Sequence, residues 1–191
     1  MRAAWALMFT LLLGPVAAQE PPSWHGLRPG AAIGGPLDLI DQHGRPFSLS
    51  RLDRPLALLA FGYTHCPDIC PDTLSVMRRV AAGLPDQARP ALIFVTLDPQ
   101  RDTPAVLEEY LDWFDAGIAG LTGEPEAVRA AAERYRVGLE READGAIAHS
   151  AYLYLIDTAG RVLLMYPFGT RPEAVIDDIR HLYARAARRG P

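Results

Sequence analysis

From residue 37 onward, short apolar runs alternate with segments whose apolar residues recur every three or four positions. Leu37 to Ile40 and Phe47 to Leu49 flank Asp41-Gln42-His43-Gly44, a pattern that predicts a short hairpin closed by a polar turn. Leu56 to Tyr63 is nearly unbroken in its apolar character, and a strand of that kind has to be covered on both faces. Leu74, Met77, Val80 and Ala81 follow at helical spacing, and Ala91 to Leu97 is a second buried strand. Thr103-Pro104 has the form of a helix start, with Thr as N-cap and Pro in the first helical position; Val106, Leu107, Tyr110, Leu111 and Phe114 mark its apolar face. Pro125 to Tyr135 is an Ala-rich third helix. Ala151 to Ile156 and Val162 to Tyr166 are strands joined by Asp157-Thr158-Ala159-Gly160, a tight turn with Gly where a positive φ is needed. Thr170-Arg171-Pro172-Glu173 has the pattern of a capping box, and the helix after it carries the stripe Val175, Ile176, Ile179, Leu182 and Tyr183.

The order is strand, helix, strand, helix, an antiparallel hairpin and a closing helix, with one helix inserted and a hairpin in front. That is an α/β arrangement of the thioredoxin-like type: a mixed central sheet flanked by helices, with an N-terminal β-hairpin extension. The domain is expected over residues 33–187. Such a scaffold hosts many activities, so the function has to come from the site.

Upstream of this domain, Arg2 and the amino terminus precede the apolar run Ala3 to Leu13; Gly14-Pro15 breaks it, and Val16-Ala17-Ala18 offers small residues for cleavage. The run falls short of the roughly 20 apolar residues that span a bilayer. Residues 1–18 are therefore expected to be a signal peptide that exports the protein to the periplasm, with an uncleaved membrane anchor as the alternative. The absence of a Cys near the junction excludes a lipoprotein. Residues 19–32, with Pro21, Pro22 and Pro29, are expected to be an extended lead-in.

At 191 residues there is room for one domain, and 49% hydrophobic with 22% charged residues is ordinary globular composition. The net charge of -4 argues against nucleic acid as a partner. All 19 basic residues are Arg, and the chain has neither Lys nor Asn. Schiff-base lysines, P-loop lysines, Cys-His-Asn triads and N-glycosylation sequons are thereby excluded.

The two cysteines, Cys66 and Cys70, are separated by too little chain to staple distant segments, so they point to sulfur chemistry rather than to stability. They follow the first buried strand, where a helix begins, at the kind of strand end at which open α/β sheets bind ligands and helix dipoles favour thiolates. Pro71 predicts that Cys66 to Cys70 forms its own short loop. Three readings compete. Thiolates select soft metals; structural zinc and iron–sulfur sites want four protein ligands, whereas copper accepts two thiolates and one imidazole. The pair is alternatively a dithiol/disulfide couple, although the usual spacing there is two intervening residues rather than three. The third reading is a local disulfide or two buried thiols.

Of the five histidines, His25 lies in the lead-in, His43 in a turn and His181 in the last helix, while His65 adjoins Cys66 and is directed away from its neighbour's side. His149 stands directly before the Ala151 strand, beside the expected site, where a metal ligand and a satisfied polar residue at a strand entry are both consistent with its position. Asp98-Pro99 and Asp102-Thr103-Pro104 are read as turn and helix-start chemistry. The alternative is an acidic rim, formed with Asp68 and Asp72, that attracts a cation donor or basic partner. Arg185, Arg188 and Arg189 suit the C-terminal turn of a helix.

Tyr63-Thr64-His65-Cys66-Pro67-Asp68-Ile69-Cys70-Pro71, then Leu97-Asp98-Pro99-Gln100-Arg101-Asp102-Thr103-Pro104, then His149-Ser150 resemble the three signature stretches of the Sco/SenC copper chaperones. The resemblance spans Ile33 to Ala187. It implies a thioredoxin-like domain that binds one copper ion, as Cu(I) or Cu(II), through Cys66, Cys70 and His149. It also implies delivery of copper to, or thiol reduction of, the binuclear copper site of cytochrome c oxidase. The implied partners are the copper-site subunit of the oxidase and a periplasmic copper donor or thiol reductase. The alternative function is a thiol-disulfide oxidoreductase, with Cys66 and Cys70 as its catalytic pair, acting on that subunit or another exported protein. A peroxiredoxin-type Cys would need Pro and Thr where Leu59 and Tyr63 stand, and a thioredoxin-type enzyme would place Pro opposite the pair, where this chain has His149.

Overall fold

The computed structural model describes residues 23–114, 116–141 and 147–189. The expected signal peptide, residues 1–18, lies outside the described residues. In chain order the elements are β1 (Ile40–Asp41), β2 (Leu56–Gly62), α1 (Ile69–Ala82), β3 (Ala91–Thr96), α2 (Pro104–Asp112), β4 (Ala119–Thr122), α3 (Pro125–Arg134), β5 (Leu139–Arg141), β6 (Ile147–His149), β7 (Tyr152–Asp157), β8 (Val162–Pro167) and α4 (Pro172–Arg189).

All seven residues of β2 are buried, which is why this segment is continuously apolar. Its side chains alternate between two cores. Leu56, Leu58 and Ala60 pack with Leu74 and Met77 of α1, Leu107 of α2 and Val175 and Ile179 of α4. Ala57, Leu59 and Phe61 face the other way, toward Val128 and Ala131 of α3 and the rings of Tyr135 and Tyr154. The six-stranded sheet has the order β1-β4-β3-β2-β7-β8. Strands β2, β3 and β4 are parallel, whereas β7 pairs antiparallel with both β2 and β8. The sheet is therefore mixed, helices cover both faces, and the carboxyl ends of β2 and β3 come out together.

Several local features differ from the pattern-based expectation. The front hairpin keeps its turn, with Asp41 N–H donating to the Arg45 carbonyl and Phe47 N–H to the Leu39 carbonyl. Its return strand does not extend: Pro46 has no N–H to offer a ladder, and residues Leu49–Arg51 coil into a 3-10 turn. Ile40 and Asp41 pair instead with Thr122 and Leu121 of β4 at the sheet edge. Residues Thr170 to Glu173 do not form a capping box. The Thr170 hydroxyl donates to the Pro167 carbonyl at 2.7 Å, α4 starts at Pro172, and Glu173 faces Arg79 at 3.3 Å. Asp157-Thr158-Ala159-Gly160 does form the expected turn: the Asp157 carboxylate accepts from the N–H groups of Ala159 and Arg161, and Gly160 takes φ +79°.

The segment before residue 37 lies along the outer edge of β8, where Leu27 bridges Met165 and Gly34 bridges Arg161. The buried carboxylate of Asp178 accepts from the His25 and Gly26 N–H groups at 3.1 and 2.8 Å and from the Tyr166 hydroxyl at 3.1 Å. An edge strand is thereby covered.

The α2 start is as expected: Thr103 is the N-cap, its side chain accepts from Val106 N–H at 3.4 Å, and Pro104 is the first helical residue. Thr103→Ala should therefore cost about 0.5–1 kcal/mol, the low end of the N-cap range because the bond is long. A thermal or urea melt reads it. An unchanged midpoint would show that the cap contributes nothing.

Candidate metal centre

Strand β2 delivers the chain into the site at Gly62, and the loop from Tyr63 to Asp68 leads into α1. The helix begins at Ile69, so Cys70 lies in its first turn rather than in a separate loop. Pro71 is tolerated there because the first N–H groups of a helix have no partner within it. Cys66 stays in the loop, half-buried, its N–H donating to the Tyr63 carbonyl at 3.2 Å. Both cysteines are free thiols, one in the loop and one in the first turn of the helix it leads into. Cys70 is only 2% exposed. Burial pushes its thiol well above the ordinary range, and the hydrogen bond with Cys66 adds to this; the Tyr63 N–H on the sulfur works the other way. Without a metal, Cys70 is a neutral thiol at neutral pH.

Room for that sulfur comes from Gly62. A Cβ at residue 62 would lie 2.5 Å from Cys70 Sγ and 2.9 Å from the ring of Phe94. Any other residue at the end of β2 would displace the thiol.

The loop itself is fixed from below by Asp102, which is fully buried. Its carboxylate accepts from Thr64 N–H at 3.0 Å, from the Thr64 hydroxyl at 2.6 Å and from the Thr96 hydroxyl at 2.5 Å. Thr64 lies two residues before Cys66, so the carboxylate at the start of α2 sets the path of the cysteine loop. Asp98, also buried, receives Arg101 and has its N–H on the Thr96 hydroxyl. Asp98 and Asp102 are thus structural groups, as the turn reading has it; only Asp68 and Asp72 are exposed. His65 is exposed, its Nδ1 3.0 Å from the Thr64 hydroxyl.

His149 ends β6, which pairs with β5 as a small hairpin separate from the main sheet, with Leu139 opposite His149. The ring is half-buried, and Nδ1 lies 3.2 Å from the Ser150 carbonyl. A carbonyl only accepts, so Nδ1 carries the proton and Nε2 keeps its lone pair. Burial lowers the imidazole pKa below its usual 6.5, against the opposing effect of the Ser150 carbonyl. Between His149 and the cysteine loop stands Tyr63. Its ring meets the imidazole edge-on at 6.3 Å between centroids, and its hydroxyl accepts from Ile147 N–H at 3.3 Å. One residue therefore links the hairpin to the cysteine loop.

The two cysteines flank the start of α1, and His149 contacts the ring of Tyr63, the first residue of the cysteine loop. Among the described residues, no three His, Cys, Asp or Glu side chains are gathered as a closed metal cage. Two sulfurs and a neutral imidazole nonetheless make a soft donor set of the kind that suits copper. Of the histidines outside the loop, His43 lies 3.4 Å from Glu108, His181 packs edge-on against Trp24, and His25 belongs to the N-terminal segment, its backbone N–H on Asp178. Gly62, Tyr63 and Thr64 belong to the stretch the sequence singles out, but the space Gly62 leaves, the Tyr63–His149 contact and the Thr64–Asp102 contact are not legible there. The available signal was the break of the apolar run at Gly62-Tyr63.

A family model described as SCO1/SenC matches residues 25–184. An SCO2-like protein of Rickettsia felis is 35% identical over 155 residues, 78% of this chain and 76% of that protein. Among solved structures, ScoI of Bradyrhizobium japonicum with copper bound is similar at 36% identity and a TM-score of 0.67, covering 78% of this chain and 99% of that one. ScoI of Arabidopsis thaliana with copper bound is similar at 31% identity and a TM-score of 0.72, with 80% and 99% covered.

Proposed function

This chain belongs to the SCO1/SenC family, and we propose that it is an exported copper chaperone that binds one copper ion through Cys66, Cys70 and His149. In this reading it delivers the ion to the binuclear copper site of cytochrome c oxidase. The observation that carries the reading is the two free cysteines that follow the carboxyl end of β2, with a lone-pair-bearing imidazole against Tyr63 at the head of their loop. Relatives solved with copper bound support it.

The chemistry asked of the residues is modest. Copper replaces the thiol protons, which pass to solvent, so uptake requires the reduced pair. Burial of Cys70 keeps the metal-free sulfur protonated and unreactive, and the exposed side of Cys66 is the way in and out. His149 supplies a neutral donor that carries no charge to hold the metal, which suits a site that has to release its cargo. The copper-site subunit of the oxidase is the proposed acceptor, and a periplasmic copper donor or thiol reductase the proposed supplier.

One observation favours a second reading. Both cysteines are free thiols four residues apart, so a thiol-disulfide oxidoreductase acting on the same subunit or another exported protein is the alternative.

Metal analysis separates the two. Reduced protein should retain one copper per chain through gel filtration, and protein oxidised to the Cys66–Cys70 disulfide should retain none. Equal copper in both forms would defeat the chaperone reading.

A further inference from the structure

Tyr63 leaves the carboxyl end of β2 as the first residue of the cysteine loop, and its side chain is buried. Three of its parts touch three different pieces of the proposed centre. Its carbonyl accepts from the Cys66 N–H at 3.2 Å, which closes the loop on itself. Its ring meets the His149 imidazole edge-on at 6.3 Å between centroids. Its hydroxyl accepts from the Ile147 N–H at 3.3 Å, a buried contact across 84 residues of sequence. Ile147 and His149 are the first and last residues of β6, so one phenol holds that strand at its start by the backbone and at its end by the side chain. The hold matters because of where β6 lies. Strands β5 and β6 form a two-stranded sheet of their own, and among the described residues no ladder joins them to the six-stranded sheet. A two-stranded hairpin is marginal without further packing. The seat of His149 on the domain is therefore set by side-chain contacts, and Tyr63 supplies one that leads directly into the cysteine loop.

We propose that Tyr63 is a positioning residue of the metal centre: its hydroxyl fixes β6 and its ring bears on the imidazole, so that His149 is held at the cysteine loop before copper arrives. The proposal rests on the copper reading above. A ligand already in place costs less to recruit than one that has to be ordered on binding, so the ordering of the hairpin falls on folding rather than on metal uptake. Groups behind a ligating imidazole matter to metal affinity in this way although they never touch the ion. The hydroxyl is the discriminating atom. Phe at this position packs the same ring against His149 and keeps the backbone contact to Cys66, but the buried Ile147 N–H then loses its acceptor. Removal of one oxygen therefore separates the hold on β6 from the rest of the loop.

The test uses the full chain with Tyr63→Phe, alone and combined with His149→Ala. Tyr135→Phe is the control: it removes a buried hydroxyl that donates to the Gly35 and Gly160 carbonyls, outside the metal centre. In metal-free reduced protein, the Ile147 amide of Tyr63→Phe should exchange with solvent roughly tenfold faster, the size that losing one hydrogen bond gives. Copper affinity, read by chelator competition, should fall roughly threefold to tenfold, below the range for groups bonded directly to a metal-bound ligand because the hydroxyl acts through the strand. In the His149→Ala background the same substitution should change affinity by less than about twofold, since no imidazole is left to position. Pulsed EPR of the Cu(II) form should show weaker imidazole-nitrogen coupling in Tyr63→Phe than in wild type, and unchanged coupling in Tyr135→Phe. The proposal is overturned if Tyr63→Phe keeps wild-type exchange at Ile147, or keeps wild-type affinity and nitrogen coupling. It is equally overturned if the loss of affinity is as large in the His149→Ala background, since the hydroxyl would then act without the imidazole. The same holds if Tyr135→Phe weakens copper binding as much, since lost stability alone would then suffice. Wild-type protein that takes up no copper would defeat the copper reading itself and the role of Tyr63 with it, a result distinct from each of these.

Discussion

Replacing Cys66 and Cys70 together by Ser should remove at least a hundredfold of copper affinity, about 2.7 kcal/mol, and leave the fold standing. The two sulfurs are the only soft anionic donors in the chain. A Ser hydroxyl is hard and holds its proton at any pH at which the protein is folded, so it substitutes for a thiol in shape and not in ligand chemistry. Two of the three proposed donors go at once, leaving His149 as a lone imidazole. The structural cost falls mainly at Cys70, whose sulfur fills the notch between Gly62 and Phe94. Placing a smaller, more polar group there should cost about 1 kcal/mol, near the centre of the range for point mutants. Cys66 is half-buried in the loop and should matter less. Copper per chain after desalting, chelator competition and a melt on the same samples decide it. If the folded double variant keeps copper at wild-type affinity, the metal centre lies elsewhere.

How much of this was legible beforehand depends on the length scale of each signal. Strands β2 and β3 are runs of buried residues, and such runs announce themselves in polarity alone. Strand β4 does not: Ala119-Gly120-Leu121-Thr122 is short and contains a glycine, at which a Cβ would come within 2.5 Å of Leu111 Cδ1 of α2. Its place is set by α2 packing on it, a tertiary fact. The β5–β6 pair was missed for a similar reason, since two three-residue strands carry no period to read. In the sequence residue 149 looks like a simple approach to β7, whereas the β5–β6 hairpin that ends there holds His149 against Tyr63.

Within the site, chemistry was more readable than geometry. The Cys spacing and the position after a buried strand point to sulfur chemistry with three readings open, and it is the resemblance of the three stretches that implies the donor set Cys66, Cys70 and His149. The supports were not readable, because they act across the chain: Asp102 reaches Thr64 over 38 residues, and Tyr63 meets His149 over a longer span still. Turn chemistry at Asp98 and Asp102 was legible as local pattern, and the structure adds that the same carboxylate also braces the cysteine loop. Pro71 misled for a simple reason. Proline breaks a helix interior but is accommodated in a first turn, and only the true helix start tells the two apart.

His149→Ala should weaken copper binding at least tenfold, about 1.4 kcal/mol, while leaving Cys66 and Cys70 able to form and open their disulfide. The imidazole contributes a lone pair to a metal, but exchange between two sulfurs depends on thiolate fraction and access and makes no use of it. The pH dependence gives the sharper signature. Burial holds the His149 pKa below its usual 6.5, so the folded protein keeps the ring neutral at neutral pH, and a proton competes for it only in more acidic solution. Wild-type affinity should therefore fall as pH drops through proton competition at the thiols, and fall more steeply once the pH is below the usual imidazole value of 6.5, where the His149 ring also takes up a proton. The sulfurs also compete with protons, so affinity in the variant falls too, but less steeply, and the difference between the two curves is the contribution of the imidazole. Stability carries the same sign. With the folded pKa below the unfolded one, the unfolded chain binds more protons in acid. The metal-free wild type then loses stability as pH falls through this window, and the Ala variant lacks that component. Chelator competition at several pH values, beside a thiol-disulfide redox titration, measures all of it. Wild-type copper affinity in His149→Ala together with lost activity toward a disulfide substrate would replace the chaperone with the oxidoreductase.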